Sequence, residues 1–221
     1  ENTNPYHAPG FCEGSAWQFT WYVPHDVKSL INLIGERQFI DRLNAGFATS
    51  EKVSFNALGD NMGAYPINHG NETNMQAAYL FSYTSEPWHT QKWARAIQEK
   101  YYGMGPRDAY PGDEDQGQMS SWYILSSIGL FQMDGGCSKD PVWLLGSPRF
   151  DRVEILLDNT YYSGKKLIIK AENVSKDNCY IQYVRFNNKR LSNNYIEWSK
   201  LKKGGTLHFI MGDRPNPNAF K

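Results

Sequence analysis

The spacing of apolar residues changes once along this chain, near Gly135 and Gly136. Before that pair, apolar side chains recur three and four residues apart, which is the period of a helix with one buried face. After it they alternate within short runs rich in Val, Ile, Leu and Tyr, which is typical of strands. The change predicts a mainly α fold with a β-rich C-terminal region, divided into residues 1–136 and 137–221.

Helical spacing and end signals divide the first region into five or six short helices. Asp26 is well placed as an N-cap before an apolar face, and Gly35 ends that helix. Residues 1–10 and 48–68 carry Pro, Gly and Asn without periodicity and are expected to be loops. The predicted helices cover residues 15–24, 26–35, 36–47, 69–83, 86–103 and 115–129.

The second region predicts five or six antiparallel strands. Asn187–Asn188 and Gly204–Gly205 are typical turn residues between apolar runs. The predicted strands lie within residues 142–148, 152–158, 165–173, 179–187 and 206–212.

Three consecutive acids, Asp113, Glu114 and Asp115, precede the last predicted helix of the first region. Asp115 is well placed as an N-cap, and Gln118 follows three residues later, as in a capping box. Such a cluster can act as a base, bind a hard cation or simply cap the helix. Capping is the commonest of these roles.

Two further carboxylates, Glu13 and Glu72, also lie at predicted helix starts. Glu13 precedes an aromatic stretch, and an apolar wall would raise its pKa, which suits a general acid. A solvent-facing Glu at a helix start is the simpler alternative. Glu72 lies with His69 and Asn71 in a polar cluster that could cap a helix or supply oxygen ligands to a cation. Helices paired around a ring would bring these carboxylates together.

Composition excludes several classes of function. The 221 residues contain 23 basic and 23 acidic side chains, so no net field attracts nucleic acid or an anionic membrane. No apolar run approaches the length of a membrane-spanning helix. The three cysteines are far apart, which disfavours a zinc site. The cysteine content does not show whether the protein works in an oxidising or a reducing compartment. Because the chain starts with Glu1, we expect a piece of something longer.

Several long motifs, in this order, resemble glycoside hydrolase family 92, the calcium-dependent exo-acting α-mannosidases. The resemblance covers nearly the whole chain. The motifs are CEGSAWQFTWYVPHD at 12–26, HGNE at 69–72, AAYLFSYTSEPWHTQKW at 77–93, GDEDQGQMSSWYILSSIGLF at 112–131, VWLLGSPRFD at 142–151 and KGGTLHFIMG at 203–212.

The resemblance implies an N-terminal β-sandwich followed by an (α/α)6 helical barrel and C-terminal β elements. This chain is similar to the later barrel helices and the antiparallel strands that follow them. The family's active site lies between sandwich and barrel, so an upstream N-terminal domain is the expected partner. A secreted, periplasmic or cell-surface location is also implied, with a mannose-containing glycan as substrate.

The resemblance also implies an inverting mechanism with Glu13 as general acid and Asp113 and Asp115 on the base side. Inversion leaves room for water, so Glu13 should lie roughly 6.5–9.5 Å from the nearer aspartate. Residues 73–76 depart from the Pro and His residues that family members often carry there. A non-catalytic carbohydrate-binding or structural fragment is the main alternative, and another (α/α)6 glycosidase is a third.

The remaining site residues are implied by the same motifs. Trp17, His69, Asn71 and Glu72 are expected to bind substrate. Glu72, Gln18 and Asn71 are expected to hold a calcium ion.

Overall fold

The computed structural model describes residues 10–57 and 64–221, so the predictions for residues 1–9 and 58–63 lie outside the described residues. No described helix is long and apolar enough to cross a membrane. Short 3-10 helices cover Glu51–Val53 and Ala77–Tyr83. The α-helices are α1 Ala16–Phe19, α2 Val27–Ile34, α3 Glu36–Ser50, α4 Glu72–Met75, α5 Trp88–Lys100, α6 Gln118–Ser127 and α7 Trp198–Leu201.

The boundary between α2 and α3 follows from local chemistry. Asp26 caps α2 as predicted, because its Oδ1 accepts a hydrogen bond of 3.1 Å from the Ser29 backbone N–H. Gly35 separates the two helices with φ +86°, a left-handed value that favours glycine.

The single helix predicted over residues 69–83 is wrong, because α4 gives way there to the 3-10 helix. The side-chain amides of Asn74 and Gln76 both donate to the Thr73 carbonyl, at 3.0 Å each. These bonds compete with the backbone for that acceptor. The following residues, Ala77–Ser82, are all buried, so this segment has no solvent face.

All five predicted strands are confirmed, and three shorter strands accompany them. The additional strands contain only two or three residues, too few for an alternating pattern to be visible. The strands are β1 Leu130–Phe131, β2 Val142–Leu145, β3 Arg152–Leu156, β4 Lys166–Glu172, β5 Tyr180–Phe186, β6 Lys189–Arg190, β7 Tyr195–Glu197 and β8 Gly205–Gly212.

The strands form two sheets, of order β1-β2-β7 and β3-β4-β8-β5-β6. The expectation of a purely antiparallel region is wrong, since β4 and β8 run parallel from Leu167 opposite Gly205 to Glu172 opposite Ile210. A parallel pair needs a long crossover connection, and here β5, β6, β7 and α7 lie between the two strands. Alternation within a run predicts a strand but carries no information about its direction.

Two hydrophobic clusters fill the structure, and the three-stranded sheet joins them. Aromatic rings dominate the helical cluster, where Phe47 stacks on Trp93 with centroids 5.3 Å apart. Neighbouring residues of β2 belong to different clusters, Leu144 to the helical one and Leu145 to that of the sheets. The three-stranded sheet therefore lies between the two clusters, with one face toward each.

Candidate active site

Glu13 lies three residues before the start of α1 in a left-handed conformation, with φ +50°. A non-glycine residue seldom adopts this region, and such strain clusters at functional sites. The Glu13 carbonyl accepts a hydrogen bond of 2.7 Å from Asn71 Nδ2, while its carboxylate is exposed. Gly14 is needed beside it, because a Cβ there would stand 2.6 Å from Gln18 Oε1.

The segment before α4 is tied to α1 through buried amides. Asn71 occupies the N-cap position without a capping side-chain bond, since its amide nitrogen reaches Glu13 instead. Asn74 donates to the Gln18 carbonyl at 2.9 Å and accepts from the Asn68 N–H at 2.9 Å. Glu72, the first residue of α4, is exposed beside them. The backbone around Glu13 is thus held against that around Glu72.

The acidic loop before α6 does not cap as predicted. Gly117, with φ +93°, is the N-cap residue, and Glu114 rather than Asp115 serves the first turn. Glu114 Oε1 accepts from the Ser120 N–H at 3.2 Å and from Ser120 Oγ at 2.5 Å, and hydrogen bonds from Ser120 and Tyr110 lower the pKa of Glu114. The capping role of Glu114 leaves the carboxylates of Asp113 and Asp115 outside this bond network.

Electrostatics connects the acidic loop with α4. Partial burial raises the pKa of Asp115, and the neighbouring charges of Glu72, Asp113 and Glu114 raise it further. Like charges interact this way only at short range, so Asp115 lies near Glu72. The separation of Glu13 from the two aspartates stays a prediction.

Tyr101, at the end of α5, contacts both loops. Its hydroxyl donates to the Pro111 carbonyl in the acidic loop. The same hydroxyl would lie 2.6 Å from a Cβ at Gly70, which explains a glycine at that position. The sequence alone did not indicate this role for Tyr101. A buried tyrosine whose hydroxyl needs a partner was the available signal.

His69, two residues before Asn71 in the chain, has no exposed surface. Its Nε2 is 2.9 Å from Tyr102 Oη, and its ring packs edge-on to Trp122 with centroids 4.3 Å apart. Burial lowers the pKa of His69 to about 3, so the ring is neutral at physiological pH. The predicted direct contact of His69 with substrate does not fit this burial, and we assign it a supporting position.

Trp17 presents a surface next to Glu13. The side chain is 57% exposed, and the Arg42 guanidinium lies 5.7 Å from its ring centroid. An exposed aromatic face of this kind suits the apolar face of a sugar ring. A hollow of about 240 Å³ opens beside Glu72 and is also lined by Trp122 and Gln118. Space for a ligand therefore exists next to the Glu72 carboxylate.

The residues expected to hold calcium offer the right donor atoms. The Gln18 amide nitrogen donates to the Tyr65 carbonyl at 2.8 Å, and the Asn71 amide nitrogen donates to the Glu13 carbonyl. The two amide oxygens and the Glu72 carboxylate are oxygen ligands, which calcium prefers. No group of three His, Cys, Asp or Glu side chains in residues 10–57 and 64–221 is arranged to hold a metal ion.

Comparison with known proteins identifies the family. The family model described as "Glycosyl hydrolase family 92 catalytic domain" matches residues 1–213. The chain belongs to glycoside hydrolase family 92. The prediction of family membership from the motifs is confirmed.

Similar solved structures are family 92 mannosidases from Bacteroides thetaiotaomicron. An α-mannosidase in complex with mannoimidazole is 33% identical, with TM-score 0.80, and the match covers 95% of this chain and 27% of that one. An inverting mannosidase is 32% identical, with TM-score 0.80, over 95% of this chain and 29% of that one.

A curated relative comes from a fungus. An uncharacterized secreted glycosidase of Arthroderma benhamiae is 29% identical over 203 residues, which are 90% of this chain and 23% of the relative. The family 92 chain described here thus spans about a quarter of the length of the relatives it matches.

Proposed function

We propose that this family 92 chain is part of an exo-acting α-mannosidase that removes terminal α-linked mannose from glycans with inversion. The observation that carries the proposal is the grouping of carboxylates. Asn71 joins the backbone of Glu13 to α4, while Glu72 and Asp113 raise the pKa of Asp115. The solved relatives described as mannosidases support mannose as the sugar.

In the proposed reaction, Glu13 and the aspartates act on opposite faces of the sugar. Glu13 donates its proton to the glycosidic oxygen as the bond from that oxygen to the anomeric carbon breaks. A water oxygen forms the new bond to that carbon, and Asp115 or Asp113 accepts the water proton. The upward shift in the pKa of Asp115 favours Asp115 as a proton acceptor.

Calcium is proposed as the cofactor, with Glu72, Gln18 and Asn71 holding it through oxygen atoms. When bound, such an ion supplies a template for vicinal sugar hydroxyls and Lewis-acid stabilisation. The protein residues orient the sugar in either case, with Trp17 against the ring. We further propose a secreted, periplasmic or cell-surface location and an upstream N-terminal domain as partner, with no nucleic acid or membrane partner.

The test is hydrolysis of an aryl α-mannoside by a protein that includes the upstream segment, followed by NMR of the first product. The β anomer of mannose is expected if the reaction inverts, and the α anomer would contradict inversion. A calcium-selective chelator should abolish activity, and added calcium should restore it. Full activity after exhaustive chelation would rule out the calcium role.

The second candidate is a non-catalytic carbohydrate-binding or structural part of a glycosidase, which the quarter-length match favours. We expect residues 1–221 alone to hydrolyse no aryl α-mannoside, and a protein with the upstream segment added to do so. Mannose binding without turnover in both proteins would favour the second candidate.

A further inference from the structure

A second charged region lies away from the carboxylates, in a cavity of about 510 Å³. The last turns of α5, residue Tyr123 of α6 and the loops around Arg149 and Ser175 form its wall. Three cations, Arg95, Arg149 and Lys176, line it against one acid, Glu99.

Arg95 is unusual because it is buried without a carboxylate partner. Its side chain is 5% exposed, and its terminal nitrogens donate to the Ser175 carbonyl at 2.8 Å, Ser147 Oγ at 3.0 Å and the Pro148 carbonyl. The Nε atom is buried and has no partner within the described part of the chain. Buried guanidinium groups are normally paired with an anion.

Gln98, one turn further along α5, adds a second unsatisfied group. The residue is 1% exposed, and neither its amide oxygen nor its amide nitrogen has a hydrogen-bond partner among the residues described. Native structures leave few buried polar atoms in this condition, and each one calls for an explanation such as a bound ion.

The other two cations also have no acid partner. Arg149 donates to Tyr123 Oη at 3.2 Å, and Lys176 lines the opening. None of the ion pairs in residues 10–57 and 64–221 involves Arg95, Arg149 or Lys176. With Glu99 subtracted, the wall keeps a net charge of +2, from three cations and one acid.

We propose that this cavity is an oxyanion-binding site, in which Arg149, Lys176 and the Gln98 amide hold a phosphate, sulfate or carboxylate group. Arginine and lysine bind oxyanions through charge-assisted hydrogen bonds, and the planar guanidinium suits two oxygens at once. An anion in the cavity would compensate the positive charge of Arg95 in its wall, and a rotation of the Gln98 side chain toward the cavity would give its amide nitrogen an acceptor. The site does not depend on the proposed glycosidase activity.

The test is thermal denaturation of the 221-residue protein in inorganic phosphate, against chloride at the same ionic strength. Binding to the folded state raises the melting temperature with phosphate concentration. Arg149→Gln and Lys176→Gln should each weaken phosphate binding roughly tenfold or more, the value of one charge-assisted hydrogen bond. Matched controls are Arg214→Gln and Lys139→Gln, exposed cations outside the cavity, which should bind phosphate as the parent does.

Gln98→Glu provides an independent variant that keeps the side-chain shape. The new carboxylate would itself pair with the cations, so the melting temperature in chloride should rise and the phosphate response should disappear. An unchanged phosphate response in Gln98→Glu or Arg149→Gln would overturn the proposal. So would equal stabilisation by phosphate and chloride in the parent protein together with no difference between Arg149→Gln and Arg214→Gln.

Two further experiments identify the source of the anion. Sulfate and acetate distinguish a tetrahedral group from a planar carboxylate. The same titration in a protein extended to the length of its solved relatives distinguishes a dissolved anion from a protein side chain. Phosphate binding by the extended protein indicates that the ligand is a dissolved anion. Loss of phosphate binding in the extended protein, with Arg149→Gln still lowering the melting temperature more than Arg214→Gln, indicates that a protein side chain occupies the cavity.

Discussion

The exposed carboxylates and the aromatic layer beneath them differ in almost every physical respect. Glu13, Glu72 and Asp113 are exposed, and their positions depend on bonds to their backbone or to neighbouring residues. The layer beneath contains His69 and Trp122, both buried and packed edge to face. The residues suited to proton transfer are therefore separate from those that give the site its rigidity.

This contrast explains why residue type alone does not identify the groups suited to proton transfer. Histidine is the usual side chain for proton transfer at neutral pH, yet burial keeps His69 neutral. The exposed acids can meet both water and substrate. Variants of the two regions should consequently affect different measurements, rate in one and stability in the other.

The largest expected effect concerns rate. In a protein that turns over, Glu13→Gln should slow substrates with poor leaving groups about 10²–10⁴-fold and those with good leaving groups less, because the latter need little protonation. Asp115→Asn should slow both kinds, since water must be activated in either case. Steady-state kinetics on two aryl mannosides measures this, and denaturation should show little change in stability.

The control for these variants is Asp140→Asn, an exposed carboxylate outside the cluster, which should keep the parent rate. Equal slowing of good and poor leaving groups by Glu13→Gln would show that Glu13 is not the acid. Glu72 would then be the next candidate.

The next effect concerns stability and pH. The pKa of His69 is about 3 in the folded protein against 6.5 as its ordinary value, so only the unfolded chain takes up a proton in this range. The stabilising contribution is complete above pH 6.5 and is lost as the pH falls toward 3. Urea denaturation should show that lowering the pH from 7.5 to 5.0 costs the parent about 2 kcal/mol more than it costs His69→Gln.

The pKa of His89 is also lowered, by burial against the opposing effect of Glu86, so His89→Gln is the matched control. His89→Gln should remove only the part of the pH-dependent stability that comes from His89 and should leave the part that comes from His69. If His69→Gln and the parent lost stability equally between the two pH values, the buried neutral state of His69 would be wrong.

The smallest expected effect concerns the close contact between Gly70 and the Tyr101 hydroxyl. Gly70→Ala places a Cβ 2.6 Å from Tyr101 Oη and should cost roughly 1–2 kcal/mol in the free energy of unfolding. In a Tyr101→Phe background that hydroxyl is absent, so the same substitution should cost at least about 0.5 kcal/mol less. A double-mutant cycle by urea denaturation measures the difference. Additive costs would mean that Tyr101 does not hold the two loops together.

Periodicity predicted the fold where a segment has one buried and one exposed face. The long helices α3 and α5 and the strands β4 and β8 follow this rule. Residues 77–82 do not, because every face is buried and side-chain amides take a backbone acceptor. Strand direction and the two-residue strands also escaped prediction, since pairing depends on distant residues.

At the site, the motifs identified the acids but not their supports. The charge of Glu72 raises the pKa of Asp115, while the convergence of Glu13 with these acids stays a prediction. The capping role of Glu114 and the tether formed by Tyr101 depend on contacts across 6 and 10 residues of irregular chain. No spacing rule covers such contacts, because loop geometry rather than helical period sets them.

The central place of β8 has a consequence for how this protein acquires its structure. The strand lies between β4 and β5, although it leaves the ribosome after both of them. Until residues 205–212 emerge, β4 and β5 each lack their principal neighbour, and their backbone groups on that side are open to pairing with other chains. Pairing across such long sequence separations is slow. The five-stranded sheet should therefore form only after residues 205–212 have left the ribosome, and until then misassembly competes with folding.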